Sequence, residues 1–408
     1  MRITNKVRRS PLPWGKAASA IIRLGQNYEI RLLGLFLLLL VAYLAIAGLV
    51  YAPTGYYGTT ERPRFADPWI ERTETILRGR LLYRDVFTAT PPLINFLLVP
   101  PAFLAKLFGY QNPWATLSFM LYFSLFNLLA AYALLYLGPN RREGWRASVL
   151  FLLNPLTFGN AVLRRQDEPI LVFFWGVSLL FFVQRQHWQA AVAIGATLLV
   201  KLSGVLLIPI AVLHDRHWRY VFIPALVFAL VMAPFLLFAG RDAVFWDFSR
   251  RNTEHPFQLG GISLGALWEL WHGKEVADRY LGGLSALFVL GVGLTMGLIT
   301  WKRLGVLEDL ALLTGAVLLL TPKLHAGYFS LLAWTMAPLL WRYRLEALYF
   351  LLGVLVIVGD FLKFPIRDYP LAFGVMAAVS MLLLMMMIRL AHPSVAESPH
   401  EPSQVAEI

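Results

Sequence analysis

The chain contains no cysteine in 408 residues, which excludes a disulfide framework and thiol chemistry while leaving the compartment open. Charge is also scarce, at 15% of residues, and acidic side chains number 24 against 36 basic ones. No HExxH, GxxxxGK[ST] or CxxC occurs, so zinc-peptidase, P-loop and dithiol chemistry have no local signature. No internal repeat is visible, and no stretch interleaves aromatic and basic residues as nucleic-acid readers do. The net charge of +12 is therefore read as membrane orientation, and no nucleic-acid partner is expected.

What is abundant is apolar surface. Apolar residues make up 58% of the chain and the mean hydropathy is +0.62, far above that of a water-soluble domain. Apolar runs recur at 32–52, 92–108, 113–137, 147–163, 169–183, 189–213, 220–239, 281–300, 304–322, 327–341, 345–362 and 371–390. They are continuous rather than alternating, which excludes a membrane β-barrel. One crossing takes roughly 20 helical residues, so some of these helices are short or tilted. The expectation is an all-α polytopic protein embedded in the lipid bilayer, with about 11–13 transmembrane helices over residues 32–390.

Topology follows from the basic residues. The segment 1–31 carries seven Lys or Arg and one Glu ahead of the first apolar run. A cleaved signal peptide would place its apolar region nearer the start, so this segment is expected to stay cytoplasmic. Short basic connectors at Arg141, Arg142 and Arg146, Arg185, Arg216 and Arg219, Lys302 and Arg303, and Arg342 and Arg344 are assigned to the same side. His187, His214 and His217 lie in these connectors and receive no role. The near-neutral loops 53–90 and 240–280 are assigned outside. Parity then requires 189–213 to be a hairpin of two short helices turning at Lys201. It also makes 91–109, with Pro91, Pro92, Pro100 and Pro101, a re-entrant or partly inserted piece. The tail 391–408, polar and proline-containing, is expected to be disordered and cytoplasmic.

On this plan the segments 53–90, 164–168, Lys201, 240–280, 322–326 and 363–370 gather at one external face. From Asp67 onward, a helical period puts Trp69, Ile70, Thr73, Ile76 and Leu77 on one side and Glu71, Arg72, Glu74 and Arg78 mostly on the other. That pattern describes an interfacial helix, and equally a solvated amphipathic loop. Asp167 lies between Arg164, Arg165 and Glu168 at the outer end of an apolar helix, where it either starts the helix or marks a functional site. Lys201 interrupts an apolar stretch, either snorkelling at a turn or binding phosphate. In 245–271, Arg250, Arg251, His255 and Gln258 accompany Trp246, Trp268 and Trp271, a composition suited to a sugar and also to any bilayer interface.

These stretches carry a resemblance. Asp67, a helix, then Gly79, Tyr83, Arg84, Asp85, Pro91 and Pro92 resemble the first external loop of the GT-C glycosyltransferases, membrane enzymes that use polyprenyl-phosphate sugars. Further resemblances follow in order: NPLTFGNAVLRRQDEP at 154–169, GATLLVKLSGVLLIPI at 195–210, and TPKLHAGYFSLLAWTMAPLL at 321–340, the last similar to mannosyltransferases related to family 87. The resemblance spans about 50–345. It implies a GT-C fold and an inverting transfer of a hexose, mannose foremost, to an acceptor hydroxyl at the extracytoplasmic face of the plasma membrane. It further implies Asp67 as general base, with Asp85 and Asp167 in reserve. Lys323, His325, Lys201, Arg164, Arg165, Arg250 and Arg251 are implied for the donor phosphate, and Tyr83, His255, Gln258 and Tyr328 for the substrates. Where the family often has paired acids, this chain has Phe65-Ala66-Asp67-Pro68. No cofactor is demanded, a divalent metal is an option, and no metal ligand is assigned. The acceptor, whether lipid, protein or glycan, stays open. The alternative is a transporter or flippase of a lipid-linked or other polar substrate, although inverted repeats and mid-membrane charges, the usual marks of that class, are not seen.

Overall fold

The computed structural model describes residues 27–51, 67–109, 112–245, 263–272, 280–321, 326–362 and 370–392. The described chain is helical nearly throughout and holds no strand. In order, α1 (Tyr28–Tyr51) is followed by α2 (Asp67–Leu77), α3 (Pro92–Leu97), α4 (Val99–Phe108), α5 (Pro113–Leu137), α6 (Arg141–Leu153) and α7 (Pro155–Phe158). Next come α8 (Glu168–Val183), α9 (His187–Val200), α10 (Leu207–Asp215), α11 (Arg219–Phe238) and α12 (Leu264–His272). The last are α13 (Leu281–Lys302), α14 (Val306–Leu320), α15 (Phe329–Met336), α16 (Leu340–Tyr343), α17 (Glu346–Leu362) and α18 (Pro370–Ala391).

Among the described residues, every apolar run in the sequence is largely helical. Five described helices are long and apolar enough to cross a membrane, and six if the bent pair Arg141–Leu153 and Pro155–Leu163 forms one span. This is an integral membrane protein. An expectation of 11–13 crossings is reached only by counting shorter apolar helices, five of which run 10–17 residues. The 58° bend within the pair has a local cause. Asn154 precedes Pro155, which disfavours helical backbone at Asn154, and it sits at φ −64°, ψ 129° while its side chain accepts from the Leu156 N–H.

Helices α5, α8, α9 and α11 pack side by side. In lipid, close packing and small residues do the work that water exclusion does elsewhere. Gly176 on α8 illustrates it: a Cβ there would lie 2.7 Å from the Cβ of Ala133 and 3.1 Å from the Trp334 ring. The Trp334 indole N–H donates to the Ala130 carbonyl at 2.9 Å. Buried polar side chains are paired within the bundle: Asn127 donates to the Thr157 carbonyl at 2.7 Å, and Ser178 meets Thr197 at 3.1 Å between α8 and α9.

The hairpin at Lys201 is present. Helix α9 stops at Val200, Lys201 is extended at φ −152°, ψ 143°, and a 3-10 turn over Leu202–Leu206 leads into α10. At its far end His187 Nδ1 lies 3.0 Å from Asp215 Oδ2, so the last residue of α10 has returned to the first of α9. The piece 91–109 is a pair of short helices breaking at Leu98 and resting on α5, with the Tyr122 hydroxyl donating to the Leu97 carbonyl at 2.6 Å.

The end marked by Asp215 is rich in cations. Arg185, Arg216, Arg303 and Arg344 all adopt positive φ, between 51° and 61°, at the connectors that the sequence assigns to one side. The left-handed conformation is unfavourable for any side chain with a Cβ, so these positions keep arginine against a local backbone cost.

Candidate active site

The opposite end of the hairpin holds a buried charge cluster. Lys201 Nζ donates to Asp167 Oδ1 at 2.6 Å and to Glu168 Oε1 at 2.8 Å, with side chains only 11%, 7% and 2% exposed. The ammonium also lies 5.2 Å from the centre of the Tyr328 ring, within cation–π range. An ammonium here is stable because two carboxylates and an aromatic face replace its water.

Local geometry turns these residues inward. Asp167 stands at the start of α8 but makes no side-chain cap bond, so its carboxylate serves Lys201 instead of the helix. Preceding it, Gly159–Leu163 forms a π-helical turn, an insertion frequent at functional sites. That turn directs Asn160 inward: its amide donates to the Gly327 carbonyl at 3.3 Å and to the Ser330 hydroxyl. Its carbonyl oxygen accepts from Arg164 at 3.1 Å. Gly327 is required by space, since a Cβ would fall 2.4 Å from the Glu168 carboxyl carbon. Three segments far apart in sequence, 160–168, Lys201 and 327–330, are thereby tied together.

The connector after α2 approaches the same end. Leu82, Tyr83 and Val86 pack in one apolar cluster with Leu199, two residues before Lys201, and with Met232, Phe235 and Val244. Arg72 pins this connector down, donating to the Phe87 carbonyl at 3.2 Å, Thr90 Oγ1 at 3.3 Å and Asn95 Oδ1 at 3.4 Å. It is 4% exposed. The helical period had put Arg72 on the outer face with Glu71 and Arg78; the bonds from its guanidinium to the connector pull it inside. Leu77, placed on the apolar face by the same period, is 47% exposed.

The site residues named from the sequence sort as follows. Asp167, Lys201 and Tyr328 come together, with Arg164 joined through Asn160. Arg165 is buried beside Asp167 in the chain, at φ 53°. Tyr83 is buried, held at φ 70°, with its ring edge-on to Phe235 at 5.5 Å and its hydroxyl donating to the Thr90 carbonyl at 2.8 Å. This shapes the connector and leaves the hydroxyl engaged. Asp85 is held by Arg84 through two contacts of 3.0 Å and by the Leu81 N–H at 2.7 Å. The Arg84 guanidinium, then the Leu81 amide, pulls its carboxyl down to about 2, which makes it a weak proton acceptor. Asp67 begins α2. Lys323, His325, Arg250, Arg251, His255 and Gln258 lie outside the described residues, as do the segment 1–26 and the tail from 393.

The sequence reading missed Glu168, Asn160, Gly327 and Ser330 as parts of this cluster. Glu168 had a sufficient local explanation as an acid in the first turn of a helix, and only the fold reveals Lys201 beside it. A divalent metal does not fit between Asp167 and Glu168, because Lys201 Nζ occupies that position; among the described residues no group of three His, Cys, Asp or Glu could hold a metal ion.

No family model matches the chain. Solved structures similar to it include two of one protein. One is ArnT from Cupriavidus metallidurans bound to undecaprenyl phosphate, at 15% identity over 86% of this chain and 77% of that one, with a TM-score of 0.41. The other is the apo state of the same protein, at 14% identity over 86% and 76%, with a TM-score of 0.41.

Proposed function

We propose that the chain is a membrane glycosyltransferase of the GT-C kind, moving a hexose, mannose foremost, from a polyprenyl-phosphate sugar to an acceptor hydroxyl with inversion. One observation carries this reading: the chemistry-bearing residues of the ordered sequence stretches, Asp167 and Glu168, Lys201 and Tyr328, meet at one end of the bundle. The connector following Asp67 packs against the same end.

The chemistry asks for two things. A carboxylate must take the proton from the acceptor oxygen as it attacks the anomeric carbon, and cations must receive the phosphate that departs with growing negative charge. Asp167 and Asp85 are each satisfied by a cation, so neither is the better base. Asp67 holds that role in the proposal, and Asp167 and Glu168 position Lys201. Lys201 and Arg164 stand for the phosphate-receiving side in this proposal, and Lys323 and His325, outside the described residues, are assigned the same role from the sequence. The site faces away from the arginine-rich connectors, which supports an extracytoplasmic position by the positive-inside rule.

The test uses the purified full chain in lipid with radiolabelled polyprenyl-phosphate sugars and a mixed acceptor pool. Wild type is expected to release sugar; Asp67→Asn and Lys201→Met are expected to lose at least about 100-fold in rate, and Asp215→Asn, at the opposite end, to keep it. A chain that binds donor and carries it across the bilayer without ever cleaving it would overturn the transferase reading in favour of transport. Full activity in Asp67→Asn would return the base to Asp167 or Asp85.

A further inference from the structure

At the opposite end of the bundle, a cavity of about 540 Å³ opens where α10 ends and α14 begins, lined by His214, Arg216, Trp218, Arg303, Leu304 and Asp309 among others. Its volume is that of a small-ligand site. Asp309 is fully buried, with Oδ2 2.8 Å from His214 Nε2. Its other oxygen, Oδ1, has no hydrogen-bond partner among the described residues. A buried carboxylate oxygen left without a donor is costly, and a ligand carrying a donor would remove that cost. Above it, Arg216 and Arg303 are exposed, and neither guanidinium takes part in an ion pair or hydrogen bond within the described structure.

Charge fixes the class of ligand. Two free guanidinium groups set against one carboxylate leave a local excess of one positive charge. A phosphodiester, with one negative charge, balances it, and guanidinium forks match phosphate oxygens. The donor that Asp309 lacks would come from a hydroxyl on the same headgroup. A zwitterionic headgroup would leave the excess charge unmatched. The neighbouring helices point to a lipid as the source: α11 and α13 bury only 17% and 6% of their apolar windows within the protein, so they face acyl chains, and Trp218 at the cavity rim is 69% exposed, as expected at a headgroup boundary.

We infer that this cavity binds the headgroup of an anionic phosphodiester lipid bearing hydroxyls, of the phosphatidylglycerol type, with Arg216 and Arg303 on the phosphate and Asp309 accepting from the headgroup. The site is independent of the transferase reading and lies at the other end of the molecule. The simpler account, a band of arginines that only orients the chain in the membrane, explains the charges but neither the cavity nor the unbonded Asp309 oxygen.

The experiment measures lipid retained by the detergent-purified full chain, by native mass spectrometry, after exchange against phosphatidylglycerol, phosphatidylethanolamine or phosphatidylcholine. Arg216→Gly and Arg303→Gly remove the charges while suiting the left-handed backbone at φ 54° and 51°, so both are expected to fold. Phosphatidylglycerol should be retained preferentially, and each variant should weaken it by on the order of tenfold. Arg344→Gly, another left-handed arginine outside the cavity lining, should leave it unchanged. Equal retention of the three lipids, or an equal loss in Arg344→Gly, would overturn the site in favour of bulk charge. Complete displacement by millimolar inorganic phosphate would overturn the lipid as its ligand.

Discussion

Removing the ammonium of Lys201 is the sharpest perturbation the fold offers. Lys201→Met keeps a long unbranched side chain and deletes the charge, leaving Asp167 and Glu168 adjacent with side chains 7% and 2% exposed. Breaking a buried pair by removing one partner costs about 3–5 kcal/mol, and here one lysine serves two carboxylates, so the upper half of that range is expected. Thermal unfolding in lipid nanodiscs, followed by the fluorescence of the 13 tryptophans, measures it; thiol dyes are unsuitable for a chain without cysteine. The decisive comparison is the triple variant Lys201→Met, Asp167→Asn, Glu168→Gln. With all three charges gone, the trio itself holds no uncompensated ion, and part of the lost stability should return, as non-additivity among contacting residues predicts. Sugar transfer should stay lost in both. If Lys201→Met unfolds within about 0.5 kcal/mol of wild type, or the triple variant is less stable than the single one, the cluster is solvated and the burial argument fails.

Other expectations follow from single contacts. Gly327→Ala should push the Glu168 carboxyl away from its place, because the new Cβ would lie 2.4 Å from it; transfer should fall by a larger factor than stability, and equal losses would deny the link to Lys201. Gly176→Val overpacks the contact with Ala133 and Trp334 and should cost about 1–3 kcal/mol, read as a lowered unfolding midpoint; an unchanged midpoint would mean α5 and α8 are not in close contact. Asp85 has a folded value of about 2 against roughly 3.9 unfolded. Its stabilising contribution is therefore complete above about pH 4 and is lost as pH falls from there toward 2. Asp85→Asn should thus leave the pH dependence of transfer between 5 and 8 unmoved, whereas a shifted acid limb would make Asp85 the titrating base.

How much of this was readable in the sequence depends on the range of the interaction. Among the described residues every apolar run became largely helical, since the signal is continuous and local, and the turn at Lys201 followed from the parity of basic connectors. The crossing count is harder to read, because short helices such as α9 carry the composition of a span without its length. Asp167 and Lys201 were legible as charges out of place in apolar surroundings; their pairing across 34 positions was not. Arg72 shows the same limit: its period says surface, and its partners, 15 to 23 residues downstream, say interior. The π-helical turn at Gly159–Leu163, which sets Asn160, has no sequence signal in the stretch that contains it.

The short hairpin bears on the membrane itself. Helix α9 has 14 residues, about 21 Å at 1.5 Å per residue, against a hydrocarbon thickness of roughly 30 Å. The helix is thus about 9 Å shorter than the hydrocarbon it would have to cross. A mismatch of that kind costs a fraction of a kcal/mol per Å where lipid meets the short element; the burial of Asp167, Glu168 and Lys201 means that neighbouring helices, rather than lipid or water, surround the end of this one.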